Sequence, residues 1–388
     1  MNPVILEGVR TPFGKWKGML SNIEAKEIGT YAVRELVNRV PEVAEADGVL
    51  LAQVLQAGQG QNPARKVAVD AGISRLTPAI TLNNVCLAGL ATVADAVRRI
   101  HFGEGNLYIT GGFDSMTNAP YTASVRKEQS IGPLELTDTL LHDGLWCALS
   151  DESMGLSTDR KNNDFLITRD EQDTFAQLSQ ERASNAQRYG WLQEEIVPID
   201  LNGNALTEDE GVRHNSSIEK LATLKPAFAK DGTITAGNAS QMTDGASVGI
   251  ISTEQKAEQL GKQPLAKILG WADVAGPDTS LHTKPAHAIQ RLLEKQRLTL
   301  DDIDLFEINE AFASVVIASC RELGIGYERV NVNGGAIAIG HPLGGTGFRL
   351  ILTLAKELQR RGGGKGIASL CGGGGQGMAV LIEVPKHW

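Results

Sequence analysis

The last part of the chain holds a histidine and a cysteine in two runs made largely of glycine. The first run extends over residues 333–347 and contains His341, and the second extends over residues 371–377 and begins with Cys371. Because glycine has no side chain, such backbone comes close to a ligand and directs its N–H groups at a developing negative charge. We interpret both runs as loops that hold reactive side chains beside a bound substrate.

A second thiol, Cys86, stands where a predicted strand becomes a predicted helix. The dipole and the unpaired N–H groups of a helix N-terminus lower the pKa of a thiol, so we expect Cys86 to favour the thiolate. The other interpretation is a small buried apolar residue, which is the commoner role of cysteine. The neighbouring Asn83, Asn84 and Gly89 favour the functional interpretation.

The expected pKa of His341 is near neutral, so its imidazole can remove a thiol proton and later donate a hydrogen bond to an oxyanion. A histidine that only satisfies loop hydrogen bonds is the alternative. The glycine run also resembles a phosphate loop, but the Lys-Ser/Thr pair of such a loop is missing, and no G-x-G-x-x-G opens a helix after the first strand. Nucleotide hydrolysis and dinucleotide binding are therefore excluded.

The glycines after Cys371 offer N–H groups for half of an oxyanion hole. Cys147 and Cys320 lack such a setting, and Cys320 falls on the apolar face of a predicted helix, which indicates core packing. Asn309 either caps that helix or holds a water against the reacting group. Two thiols and one imidazole at the ends of elements predict acyl transfer through a thioester, not metal or redox chemistry.

Composition excludes several other classes of protein. The chain has 388 residues, 42% of them hydrophobic and 21% charged, which is typical of a soluble globular protein. Its net charge of −9, with no stripe dense in Lys and Arg, argues against nucleic-acid binding. The cysteines lack metal-binding spacing, so no metal is expected. With no 18-residue apolar run and a strand-like beginning, we expect no membrane span, no signal peptide and a cytoplasmic protein.

Predicted strands alternate with predicted helices in both outer parts of the chain. The strands are Val4–Leu6, Gly48–Leu55, Ala79–Val85, Leu107–Gly111, Asp304–Ile308, Gly366–Leu370 and Met378–Val384, and the helices are Ala25–Val40, Pro63–Gly72, Leu87–Ile100, Ala311–Leu323 and Phe348–Arg361. This rhythm predicts a parallel or mixed sheet covered by helices. The similarity of the two outer parts indicates an internal duplication, and the polar, irregular stretch 115–241 an inserted loop domain.

Several of these segments together resemble the thiolase family over nearly the whole chain. They are residues 10–14, 54–65, 84–90, 111–121, 225–228, 232–240, 309–312, 334–347 and 371–374. The resemblance implies an α/β fold with thiolase-like duplicated βαβ halves, two mixed sheets in a layered α/β/α/β/α core, and an inserted loop domain. The implied domains are 1–114 with the nucleophile, 115–241 with the coenzyme A site, and 242–388 with the remaining catalytic groups.

The same resemblance implies a role for each candidate residue. Cys86 would accept the acyl group, His341 would activate it, and Cys371 would exchange the α-proton of the second substrate. Asn309, through a water, and His341 would form one oxyanion hole, while the N–H groups of Cys86 and Gly373 would form the other. The positions that match coenzyme A contacts in the loop domain are Leu145, Arg213 and Ser240.

The implied activity is that of an acetyl-CoA C-acetyltransferase, which joins two acetyl-CoA molecules or cleaves acetoacetyl-CoA in fatty acid metabolism. Coenzyme A thioesters are then substrates, no cofactor is bound, and a homodimer or homotetramer is expected. The alternatives are a degradative 3-ketoacyl-CoA thiolase for longer or other acyl-CoA chains and a catalytically quiet coenzyme A-binding homologue. A β-ketoacyl synthase shares the fold, but the second cysteine, Cys371, argues against it.

The chain departs from the family pattern at four places that we expect near the acyl pocket or the substrate channel. Leu87 follows the nucleophile, where small or hydroxyl residues are usual, and Ser153 replaces a histidine typical of biosynthetic thiolases. Residues 281–287, with His282 and His287, stand where a Met-Gly-x-Gly-Pro-x-Pro segment is common, and Thr243 replaces an asparagine. These differences leave the preferred acyl chain open.

Overall fold

The computed structural model describes residues 2–126, 133–201 and 203–386. The strands are β1 Pro3–Arg10, β2 Gly14–Lys15, β3 Gly48–Ala52, β4 Ala79–Leu82, β5 Leu107–Ser115, β6 Tyr121–Thr122, β7 Thr137–Asp138, β8 Trp146–Cys147, β9 Glu152–Ser153, β10 Ile199–Leu201, β11 Asn204–Leu206, β12 Thr243–Thr253, β13 Ala266–Ala275, β14 Leu305–Ile308, β15 Gly364–Gly372 and β16 Gln376–Val384. The helices are α1 Ala25–Arg39, α2 Pro63–Asp70, α3 Ala88–Phe102, α4 Met154–Lys161, α5 Arg169–Arg188, α6 Ile218–Ala222, α7 Glu254–Gln259, α8 Lys284–Gln296, α9 Ala313–Leu323, α10 Ala336–Ile339 and α11 Leu343–Arg360. Shorter helical turns lie at Pro41–Glu45, Leu140–Leu145, Leu300–Asp302 and Tyr327–Arg329.

The large sheet is built from two halves with the same pattern of pairing. In one half β3 runs parallel to β5, and β12 and β1 follow antiparallel. In the other half β14 runs parallel to β15, and β16 and β13 follow antiparallel. The duplication predicted from the sequence is therefore present in the strand order.

The two halves are joined where the sequence predicted two separate mixed sheets. Val4 pairs with Lys267 and Ile5 with Ala266, so the strands follow one hydrogen-bonded path: β14-β15-β16-β13-β1-β12-β5-β3-β4. Both of these residues lie within the predicted strand Val4–Leu6, and the other edge of β1 pairs with β12, so β1 joins the two halves. The path is continuous, but only this short pairing links its halves.

Helices fill three layers around the two half-sheets. Apolar side chains of α3 and α11 pack together with inward residues of both halves and form the central core. Helices α1 and α2 cover the outer face of the first half, and α8 and α9 cover the outer face of the second. The layered α/β/α/β/α order expected from the sequence is thus observed.

Segment 115–241 lies outside the large sheet, apart from the end of β5 at Ser115, and contains β6 to β11 and α4 to α6. Buried charges attach it to β1: Arg10 Nε donates to Glu195 Oε2 at 2.8 Å, and Arg10 Nη1 donates to Asp209 Oδ1 at 2.7 Å. Since a buried guanidinium is costly without partners, this cluster strongly favours one placement of the segment on the core. No helix in the described ranges combines the length and apolar character that crossing a membrane requires.

Helix α11 begins at Leu343, five positions before the Phe348 predicted from the sequence. The glycines that suggested a loop are inside its first two turns, so the interpretation of residues 343–347 as a loop was wrong. A Cβ on Gly347 would lie 2.4 Å from the backbone nitrogen of Leu90, and one on Gly89 would lie 2.8 Å from the carbonyl oxygen of Gly344. Glycine is needed there because α3 and α11 touch backbone to backbone.

Cys371 likewise is not in a loop. It lies near the end of β15, paired with Gly377 of β16, and the hairpin between these strands turns through residues 373–375. Gly374 and Gly375 have φ values of 79° and 72°, in the left-handed region that glycine adopts without strain. The glycines after Cys371 therefore form a tight turn.

The helix contact predicts unequal effects of two alanine substitutions in α11. Gly347→Ala should lower the melting temperature, because overpacking against the backbone of α3 typically costs about 1–3 kcal/mol. Gly345→Ala is the matched control: its new methyl would have its nearest neighbour at 3.3 Å, and alanine gains about 0.8–1.0 kcal/mol in helix propensity. Thermal unfolding of both variants measures the difference, and equal melting temperatures would refute the backbone contact.

Candidate active site

Cys86 lies in a strained turn between β4 and α3. Val85 has a φ of 48°, a left-handed conformation that β-branched residues rarely adopt. The Val85 N–H donates to Asn83 Oδ1 at 2.9 Å, and this bond holds the turn. Backbone strain of this kind persists only where surrounding structure enforces it, and it is concentrated at functional sites.

The thiol of Cys86 is neutral, contrary to the expected thiolate. Burial raises its pKa to about 12, and the charge of Asp114 adds to the effect, while the N–H groups of Cys86 and Gly373 oppose it. Helix α3 begins only at Ala88, and the side chain is 5% exposed, so loss of water outweighs the helix dipole. The two opposing N–H groups nevertheless point at the sulfur, where they would stabilise negative charge.

His341 is held in one tautomer by a hydroxyl. Its Nδ1 lies 2.6 Å from Thr346 Oγ1, and that hydroxyl donates its own proton to the Pro342 carbonyl oxygen at 2.8 Å. Nδ1 must therefore carry the hydrogen, and Nε2 keeps a lone pair that can accept a proton or a hydrogen bond. Burial, and secondly the charge of Arg349, lowers the His341 pKa to about 3, so the near-neutral pKa expected from the sequence was wrong.

Asn309 follows β14 and is fully buried. Its Nδ2 lies 3.5 Å from His341 Nε2, and its Oδ1 has no hydrogen-bond partner among the described residues. The interpretation of Asn309 as a helix cap was wrong, because Phe312 occupies the N-cap position of α9 and no side chain caps it. The amide is directed at the histidine instead.

A buried ion pair fixes Asn309 and His341 relative to each other. Arg349 Nη1 of α11 donates to Glu307 Oε2 of β14 at 3.0 Å, and both side chains are at most 3% exposed. Glu307 is two residues before Asn309, and Arg349 is two helical turns after His341. The pair therefore joins the two elements that carry the imidazole and the amide.

Asp114 is a further buried group at the site. The sequence analysis included it only as part of the segment 111–121 and gave it no role. Its carboxylate accepts from the N–H groups of Leu55 at 2.9 Å and Gly344 at 2.7 Å. Burial raises the Asp114 pKa to about 7, in spite of those bonds. These bonds tie the first turn of α11 to β5, the strand that carries Asp114 and ends beside Cys86. Neither the residue type nor its spacing in the sequence indicated this contact.

Cys371 is 1% exposed and lies in an apolar cluster with Leu281 and Phe312. Burial, and secondly its proximity to Cys86, raises the pKa of Cys371 well above that of an ordinary thiol. Gly373, two residues further, directs its N–H at the Cys86 sulfur. The structure thus brings the two thiols and the Gly373 N–H together, while their chemical roles remain predictions.

A pocket of about 440 Å³ reaches His341 from the surface. Leu145, Arg213 and Ser240, the three predicted coenzyme A positions, all line it. Wall residues that the sequence did not single out are Lys15, Trp16, Met154, Gln241 and Met242. Since they come from distant segments and carry no motif, only the fold brings them together.

One of the four departures from the family pattern, residues 281–287, has both of its histidines outside the lining of this pocket. Ser153 does line it, and it also caps α4 by accepting from the Leu156 N–H. His282 is instead stacked on Phe165 with ring centroids 4.2 Å apart, and His287 faces Glu322 on the outer helical layer. The expectation that both histidines lie along the channel was wrong, because His282 packs against Phe165 before α8 begins and His287 on α8 faces Glu322 of α9.

Leu87 and Thr243 lie close to the backbone next to Cys371 and His341. A Cβ on Gly372 would be 2.7 Å from Leu87, and one on Gly340 would be 2.2 Å from Thr243. Both side chains therefore pack against backbone next to Cys371 and His341. Within the described ranges, no three His, Cys, Asp or Glu side chains are grouped so that they could bind a metal ion.

Comparison with known proteins agrees with this geometry over both halves. Residues 3–255 match the thiolase N-terminal domain and residues 262–384 the thiolase C-terminal domain. A probable acetyl-CoA acetyltransferase of Mycobacterium tuberculosis is 44% identical over 98% of both chains, and the acetyl-CoA acetyltransferase of Paracoccus denitrificans is 41% identical over 98% of this chain and 99% of its own. The crystal structure of the Bacillus anthracis acetyl-CoA acetyltransferase superposes with a TM-score of 0.94 at 38% identity, covering 98% of both chains. The chain is a member of the thiolase family.

Proposed function

We propose that this protein is an acetyl-CoA C-acetyltransferase that condenses two acetyl-CoA molecules to acetoacetyl-CoA and catalyses the reverse thiolysis. The observation that carries the proposal is the grouping of Cys86, the Gly373 N–H and a second buried thiol, together with a pocket that His341 and the three predicted coenzyme A positions line. The names of the relatives support acetyl-CoA as the substrate.

In the first half-reaction the Cys86 proton passes to Nε2 of His341, the ring nitrogen that carries no hydrogen and lies 3.5 Å from Asn309 Nδ2. The thiolate then attacks the thioester carbon, and the N–H groups of Cys86 and Gly373 hold the resulting oxyanion. Coenzyme A leaves with the proton from His341, and Cys86 is acetylated. Cys86 and His341 are both neutral in the resting enzyme. Proton transfer between them therefore follows substrate binding, which excludes water from the site.

In the second half-reaction Cys371 transfers its proton to His341 and, as a thiolate, removes an α-proton from the second acetyl-CoA. The enolate oxygen faces Asn309 and His341, and its carbon attacks the acetyl group on Cys86. The Cys86 thiolate leaves and recovers the proton from His341, so every group returns to its starting state. Dividing the condensation into two steps makes each easier.

Apolar side chains surround Cys371. Met154, Leu281 and Phe312 pack against Cys371 in one apolar cluster. This packing supports acetyl over the longer chains of a degradative thiolase, and turnover across acyl-CoA chain lengths tests the assignment.

We also propose a homodimer or homotetramer that works in the cytoplasm. Strand β4 ends the sheet with a free edge, and Ile80 on it is 44% exposed, which suits pairing with a second copy. All four cysteines are free thiols, and the reaction needs two of them reduced, as a reducing compartment ensures. Sedimentation of the purified protein tests the oligomer.

Cys86 should be the only cysteine that acetyl-CoA acetylates, because the N–H groups at its sulfur stabilise the attacking state. Peptide mapping by mass spectrometry after brief exposure locates the label. Cys86→Ala should remove it, and Cys320→Ala, which alters a core thiol on α9, should retain it. A label on another cysteine would reassign the nucleophile, and no label at all would favour a catalytically quiet coenzyme A-binding protein.

Alkylation of Cys86 by iodoacetamide in the free enzyme should depend steeply on pH. Only the thiolate reacts, so with a pKa of about 12 the rate should rise about tenfold per pH unit from pH 7 to 10. Cys147 is an internal comparison: hydrogen bonds from Ser150 and nearby N–H groups outweigh its burial and lower its pKa, so its rate should level off earlier. A plateau for Cys86 near pH 8 would contradict the neutral resting state.

Cys371→Ala should separate the two half-reactions. The variant should still form acetyl-Cys86 and release one coenzyme A, because acylation needs only Cys86 and His341. Condensation should fall by about 10²–10⁴-fold, the usual contribution of general acid–base catalysis, and exchange of the acetyl methyl hydrogens with D₂O should disappear. Near-normal condensation in this variant would rule out Cys371 as the base.

A further inference from the structure

The loop between β13 and α8 presses on the turn that carries Gly373. The Gly276 N–H donates to the Gly375 carbonyl oxygen at 2.9 Å, and a Cβ on Gly375 would lie 2.0 Å from the carbonyl oxygen of Asp278. Nothing larger than glycine fits between these backbones. The turn at residues 373–375 therefore follows the position of the loop at residues 276–283.

Charged side chains in turn hold this loop. Lys284, the first residue of α8, is 2% exposed, and its Nζ donates to the Gly276 carbonyl oxygen at 2.9 Å and to Asp278 Oδ1 at 3.1 Å. Asp278 Oδ2 accepts from Lys161 Nζ of α4 at 3.0 Å. Hydrogen bonding from Ser280, and then from the two lysines, depresses the pKa of Asp278, so the carboxylate stays charged.

Lys284 also touches the hairpin directly. A Cβ on Gly377 would lie 2.4 Å from the Lys284 carbonyl oxygen and 3.0 Å from its Cβ. On the inner side of the turn, Gln376 Nε2 donates to the Gly373 carbonyl oxygen at 3.1 Å, and a Cβ on Gly373 would lie 3.7 Å from the Met154 sulfur. The turn is thus packed from outside and from inside, with the Gly373 N–H directed at Cys86.

We propose that Lys284 and Asp278 are positioning residues, whose ion pair holds the Gly373 N–H at the Cys86 sulfur and so sets how well this site stabilises an oxyanion. The catalytic role of this ion pair rests on the proposed function. The contact between the ion pair and the turn that carries Gly373 does not. Lys284 stands where the family resemblance has a glycine, so the clamp is a feature of this chain. In this chain an ion pair stands where the family pattern has a glycine-rich segment.

The test uses the full-length enzyme and three variants: Lys284→Met, Asp278→Ala and the double variant. Each should lower kcat about tenfold, less than the 10²–10³-fold expected for complete loss of an oxyanion donor, with KM for acetyl-CoA changed by less than twofold. The double variant should be no worse than the worse single one, because both changes break the same contact. Lys295→Met, on the exposed part of α8, is the matched control and should keep wild-type kcat.

A second readout separates positioning from general destabilisation. The rate of Cys86 alkylation by iodoacetamide at pH 9 should fall in Lys284→Met and in Asp278→Ala, because a displaced Gly373 N–H no longer stabilises the thiolate. Asp278 is half exposed, so its variant should fold even if the buried Lys284 change does not. Unchanged alkylation would overturn the proposal, whether or not the melting temperature falls. If the wild-type enzyme never acetylates Cys86, the proposed function fails, while this alkylation result still decides the contact.

Discussion

The backbone contact between α3 and α11 is the constraint on which the site depends. Both helices lie in the central layer, and both begin beside a reactive residue, Cys86 for one and His341 for the other. Gly89 and Gly347 let the two axes come closer than any side chain would allow. The two reactive groups come from distant parts of the chain, yet their separation is set by one rigid packing contact and not by loops.

Burial around this contact decides how the site carries charge. The resting thiol and imidazole are both neutral, with pKa values of about 12 and about 3. A charged resting pair would have to be kept out of water at considerable cost. The protein instead supplies fixed donors, among them the Gly373 N–H and the Asn309 amide, whose value appears only when substrate brings negative charge. The site thus stabilises the transition state through donors that are already in position before substrate binds.

The sequence was sufficient for the family and the duplicated halves, because its motifs are distinctive and the order of strands and helices repeats, while the roles of Cys86, His341 and Cys371 stay predictions. It could not give the protonation states, since desolvation sums over many distant residues. It misplaced the start of α11, because glycine disfavours helices in isolation and tertiary packing overrode that preference. His287 was misassigned for another reason: a position along the chain does not say which way a helical side chain faces.

The place of β1 in the sheet has a consequence for biosynthesis. Strand β1 precedes the other strands of the sheet in the chain, yet its two neighbours, β12 and β13, lie more than 230 residues later. A ribosome therefore completes most of the protein before β1 can pair on either side. Until then the apolar residues of β1 are exposed or make transient non-native contacts. Arg10 likewise has no ion-pair partners until Glu195 and Asp209 have been synthesised. The centre of the sheet therefore forms only after β12 and β13 have been made, and a chain released before that point would leave both edges of β1 unpaired.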